Sequence, residues 1–165
     1  MSRFVTVVLV LASVAALAAR PAERRSAPRD GFEASVSGAL TAELSGRARF
    51  GVGGAGPGSG SGLTIELEAD RDGGTLLVQW PASSAPGPGT YPVSRTPVPG
   101  SVGVLFAPGP ALGVQGAMRG ERGSVLIRHA RAGRLTGTFA LRMDGVQVSG
   151  SFTAIEVTPQ FHTTH

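Results

Sequence analysis

Apolar and polar residues alternate along most of the chain after residue 31. Phe32, Ala34 and Val36 share one face against Glu33, Ser35 and Ser37. Leu44, Gly46, Ala48 and Phe50 then alternate with Ser45, Arg47 and Arg49. This period of two is that of a strand with one buried face. "LTIELEADRDGGTLLVQW" gives the clearest hairpin: Leu63, Ile65 and Leu67 face in, and Thr64, Glu66 and Glu68 face out. "DRDGG" supplies the turn, with Asp72-Gly73 suited to positive φ, and Leu76, Val78 and Trp80 return on the same face. Leu77 places an apolar residue on the opposite face as well.

The second half repeats the pattern with shorter elements. "GTYPV" predicts an edge strand, because Pro92 cannot donate to a central ladder. Val102 to Phe106 is another short strand, and "VQGAMRGERG" a weak one with a turn. Val125, Ile127 and His129 share a face, with Leu126 and Arg128 opposite, so His129 reads as a strand-end residue near the rim. Leu135, Gly137, Phe139, Leu141 and Met143 form the next face. Asp144-Gly145 turns the chain, and Val146, Val148, Gly150 and Phe152 return. Ile155 and Val157 then carry the apolar positions, a change of phase that predicts a β-bulge near Thr153-Ala154.

No helical spacing follows residue 31. About nine short strands separated by Gly/Pro turns predict an all-β domain over residues 32–158, either a single antiparallel β-sandwich or a flattened barrel. The repeated Gly-x-Phe at Gly137/Phe139 and Gly150/Phe152 suggests aromatic rings lying over glycine backbones of paired strands. The alternative is a ligand that needs close approach to the backbone.

The first 31 residues read differently. Arg3 precedes an uncharged apolar run from Phe4 to Ala19 that ends in small residues. That is the pattern of a secretory signal peptide, a helical segment over residues 1–19, with Ala16-Leu17-Ala18 or Leu17-Ala18-Ala19 at the cleavage site. An uncleaved anchor is the alternative, and only then would the protein meet a membrane; the run is short of the about 20 residues that span a bilayer. Residues 20–31, "RPAERRSAPRDG", read as a disordered linker. Residues 159–165 read as a flexible tail. The expected location is therefore outside the cytoplasm, periplasmic or extracellular.

The chain has no cysteine, so neither a disulfide nor a lipid-modified N-terminal cysteine is open to it. Net charge is +4, carried by arginine alone, and removing Arg3 with the signal leaves +3. The arginines are scattered along the sequence, and Arg24-Arg25 is the longest run. With one Trp and one Tyr to stack on bases, nucleic acid is not an expected partner.

"GSVLIRHARAGRLTGTFALRMDGVQVSGSFTAI" resembles a recurrent ending in small exported bacterial β-proteins of unknown function. Its parts are a strand after Gly-Ser-Val, a polar turn, a Gly-Thr-Phe strand, an Asp-Gly turn and a Gly-Ser-Phe strand. Upstream, "SGALTAELSGRARFGV", "LTIELEA" and "PGPGTYPV" fit the same order of elements, so the resemblance spans Phe32 to Val157. It implies a β-domain and export, and it brings no catalytic residues.

Candidate chemistry is sparse. Glu66 and Glu68 share a strand face and could do acid–base work, although a solvated sheet face explains them more simply. Asp70 and Asp72 flank a turn with too few oxygen ligands for a calcium loop. His162 and His165 have metal-ligand spacing only if helical, without an evident third ligand. "GGAGPGSGSG", residues 53–62, lacks the helix and lysine of a phosphate loop, and no serine sits in a nucleophile elbow. No catalytic residue, metal or cofactor is expected. The expected role is a non-catalytic binding or structural module of the cell envelope, its partner an envelope protein or polymer. Trp80, Tyr91 and Arg95 mark its candidate loop end, with Trp80 more simply a core residue. The alternatives are an apolar-ligand carrier and an envelope hydrolase working with the Glu66/Glu68 face.

Overall fold

The computed structural model describes residues 28–52, 62–82, 85–131 and 133–157. The segments read as signal peptide and tail lie outside the described residues, as do both tail histidines. The strands are β1 (Gly31–Gly38), β2 (Ala42–Val52), β3 (Leu63–Ala69), β4 (Gly74–Trp80) and β5 (Gly89–Pro92). After them come β6 (Gly103–Pro108), a 3₁₀ turn at Pro110–Leu112, β7 (Met118–Arg119), β8 (Arg122–Arg131), β9 (Arg134–Met143) and β10 (Val146–Glu156). The domain is all-β, as the alternation predicts. All ten strands belong to one sheet, in the order β5-β8-β9-β10-β1-β2-β3-β4-β6-β7. It curls into a half-barrel, one continuous sheet rather than two separate ones.

The curl brings the sheet's margins together. The N–H of Val102, just before β6, donates to the carbonyl of Pro92 at the end of β5 (3.0 Å), and Ser94 N–H donates to the Val102 carbonyl (2.9 Å). These bonds form a parallel bridge between Val93 and Val102. Pro92 contributes only its carbonyl, so its missing N–H costs nothing there.

Inward positions hold the core. Leu63, Ile65, Leu67, Val102, Val125, Met143, Val146 and Ala154 are fully enclosed. Around Phe32, Leu67, Leu76, Phe106 and Val148 the side chains leave no space for a water molecule. The core is close-packed at that point.

Inward glycines make the curl possible. Gly46, Phe32, Phe152, Gly137 and Ile127 form one cross-strand row, from β2 through β1, β10 and β9 to β8. A Cβ on Gly46 would lie 2.1 Å from the Glu68 carbonyl oxygen, and one on Gly137 would lie 2.3 Å from that of Leu126. It would also meet the Phe152 ring at 2.8 Å, so that ring does lie over Gly137. At Gly150 the reason is different. Its Cβ would strike the Glu33 carbonyl at 2.2 Å and Ala34 at 2.9 Å, so the β1 backbone occupies the space there, not the ring of Phe139. Phe139 instead stacks on Phe152, with centroids 6.4 Å apart and planes 27° from parallel.

Three local expectations are corrected. No bulge interrupts β10, whose pairing with β9 runs unbroken from Val146 to Ile155. Ile155 and Val157 do not turn inward; each is 43% exposed where β10 leaves β1 and runs briefly parallel to β2. The bulge lies in β8, between Ile127 and His129. One extra residue there sets Arg128 and His129 both in solvent, so His129 does not share the face of Val125 and Ile127. The β3–β4 turn takes positive φ at Arg71 (52°) and Asp72 (57°), one residue earlier than the Asp72-Gly73 reading.

Gly137→Ala is expected to destabilise the domain by about 1–3 kcal/mol in urea unfolding. Adding Phe152→Leu should restore little, because the Leu126 carbonyl remains. Full recovery would mean that the ring alone demands the glycine.

Candidate functional site

Glu66 and Glu68 stand on the outward face of β3, opposite β2. Register places Arg49 across from Glu66 and Arg47 across from Glu68. The Arg49 guanidinium donates to Glu66 Oε2 and to Glu68 Oε2, each at 3.2 Å, and Arg47 reaches Glu68 Oε1 at 3.2 Å. The carboxylates are thus held in a ladder of opposite charges on the outer face of a curled sheet. Their side chains remain 40% and 37% exposed, so each pair contributes modestly to stability. On the other side of the same strand, Leu63, Ile65 and Leu67 fill the core.

The loop-end residues separate. Trp80 is a core residue, 4% exposed, and Tyr91 meets it edge-on with centroids 5.6 Å apart and planes at 80°. Tyr91 is half-buried, and its hydroxyl donates to the Gly87 carbonyl at 2.9 Å. Among the described residues the indole Nε1 has no hydrogen-bond partner. Arg95 is exposed and ion-paired with Glu121, an arrangement sequence spacing does not reveal.

A surface depression of about 290 Å³ opens between the start of β2, the β3–β4 turn and the 3₁₀ turn. Glu43, Asp70 and Arg71 line its polar side, and Leu44 and Leu112 its apolar side. It exists because β3 pairs with β2 only from Gly46 onward. Among the described residues, no three His, Asp or Glu side chains gather in a way that could hold a metal ion.

A further group of charges lies on the outer face of β8 and β9. Arg122 stands opposite Arg142, and Arg131 opposite Arg134. Arg134 donates to Asp30 at 2.8 Å and to the Arg29 carbonyl at 3.3 Å. No carboxylate among the described residues pairs with Arg122, Arg128, Arg131 or Arg142. Sequence reading missed this grouping, because residues scattered along the chain become neighbours only through strand register.

No protein-family profile, curated protein or solved structure matches this chain.

The single tryptophan offers a direct check on its place. Its fluorescence should be blue-shifted and resistant to iodide quenching in the native protein, then red-shift with the global unfolding transition. Ready quenching in the native state would place it at the surface as a binding residue.

Proposed function

We propose that this chain is exported and works without catalysis, as a binding or structural module of the cell envelope that presents its outer sheet face to a partner. The observation that carries this reading is the disposition of the sheet's two faces. The inner face is spent on a core whose side chains pack closely where Phe32, Leu67, Leu76, Phe106 and Val148 meet, and that packing favours a module over a carrier of apolar ligands. The outer face holds Glu66 and Glu68 in arginine pairs on a convex surface, where a hydrolase would want them in a concave, partly desolvated cleft. What is left for interaction is the solvent-facing side of the strands.

Export rests on the N-terminal pattern of Arg3, the apolar run and the small residues that close it. The resemblance of the last three strands to small exported bacterial β-proteins points the same way.

Expression of the full chain in a bacterial host, followed by fractionation and intact-mass measurement, tests export. The expected product begins at Ala19 or Arg20 and is found outside the cytoplasm. A full-length protein in the cytoplasm would contradict export, and a full-length protein in the membrane would establish the anchor.

A further inference from the structure

We propose that the outer face of β8 and β9 is a binding surface for an acidic polysaccharide. The proposal deepens the reading of the chain as a binding module and names its partner.

Cross-strand register carries the inference. Directly opposite side chains in an antiparallel pair sit about 5 Å apart at Cβ, and like charges placed there cost stability. Elsewhere the sheet avoids this: Arg47 and Arg49 of β2 face Glu68 and Glu66 of β3. The β8–β9 ladder does the reverse at both ends. Arg122 faces Arg142 at one end, and Arg131 faces Arg134 at the other. All four are exposed. The β8 bulge adds Arg128 and His129 to the second group, turning both into solvent. Neither β8 nor β9 contains an acidic residue. Two carboxylates meet the second group: Asp30, bonded to Arg134, and Glu156, whose carboxylate lies beside Gly133 in the turn between Arg131 and Arg134.

Two arginine pairs that repel each other are relieved when an anion sits between their guanidinium groups, each of which can hold a carboxylate through two parallel N–H bonds. Along β9, Arg134 and Arg142 are eight residues apart, about 27 Å at the strand rise. One small anion cannot reach both groups, whereas a polymer carrying repeated negative charges can, and it gains from the linkage. Between the groups, beside the half-buried Leu126, the outward side chains include the hydroxyls of Ser124 on β8, Thr138 on β9 and Ser149 on the adjoining β10. Such a floor offers hydrogen bonds to a sugar chain.

Other polyanions fit less well. A single-stranded nucleic acid gains from aromatic platforms for its bases, and β8, β9 and β10 present no outward Phe, Tyr or Trp. An anionic lipid surface would call for apolar side chains to insert; the half-buried Leu126 is the large apolar residue on the outer face between the arginine groups.

The test uses the purified exported protein with polygalacturonate as probe, dextran as neutral control, single-stranded DNA, and phosphatidylglycerol vesicles. At low salt it should bind polygalacturonate and not dextran, with affinity falling steeply as salt rises. The Arg122→Ser/Arg142→Ser variant should bind at least about tenfold more weakly, while Arg47→Ser, which breaks a pair on β2–β3, should bind as the parent does. Unchanged tryptophan emission and melting temperature in each variant establish that folding is intact. Absence of polygalacturonate binding, or equal binding by the double variant, overturns the proposal. So does tighter binding to DNA or to vesicles than to the polysaccharide. None of these outcomes bears on export, which the fractionation assay decides separately.

Discussion

The close approach of backbone to backbone at the inward glycines is the constraint on which the rest of the fold depends. At Gly46, Gly137 and Gly150 the carbonyl of the neighbouring strand occupies the place a Cβ would take. That proximity lets the sheet bend sharply without breaking its ladders. It also opens pockets in the interior that the facing phenylalanines fill. Phe32 and Phe152 stand between two glycines in one row, and Phe139 follows two small residues, Ala34 and Gly150, in the next. Full burial of a Phe side chain contributes roughly 1.5–3 kcal/mol. With no disulfide in the chain, burial of this kind is what holds the curl.

The same curl decides how the surface is used. A sheet curled around its core has one face left, and the register of each strand pair assigns that face its charge. On β2–β3 the register sets arginine against glutamate, and the charges cancel. On β8–β9 it sets arginine against arginine. The chain's positive balance is thus unevenly spread, and the proposed polysaccharide surface lies where the excess is. The edges are less available. β5 has four residues and ends in Pro92, and β7 has two. Short edges of this kind limit pairing with a foreign strand, which favours recognition by side chains over strand addition.

Much of the fold was legible in the sequence because period-two alternation reports directly which residues face a core. The hairpins from Leu63 to Trp80 and from Leu135 to Phe152 run as alternation predicts, and Trp80 lies in the core. The Gly-x-Phe repeat was half legible: Phe152 does cover Gly137, but Gly150 yields to the β1 backbone, a neighbour that local spacing cannot name. The apparent phase change near Thr153 reflects β10 passing from β1 to β2, so it is a change of partner and not a bulge. The true bulge at Arg128 left no mark, since Arg-His reads as an ordinary polar–intermediate step. The candidate surface was least legible of all. Arg122 and Arg142 are twenty residues apart in sequence, and only the hairpin register makes them neighbours.

If inward glycines and their aromatic fillings set the curl, the two margins of the sheet must stay joined in solution. Native-state amide hydrogen exchange at Val102 and Ser94 measures this directly. Their N–H groups donate across the margin, to Pro92 and Val102. Protection close to that of the central strands β9 and β10, lost only with global unfolding, is the expected result. Exchange at the rate of an exposed loop would mean an open sheet, and would contradict closure as a consequence of the core.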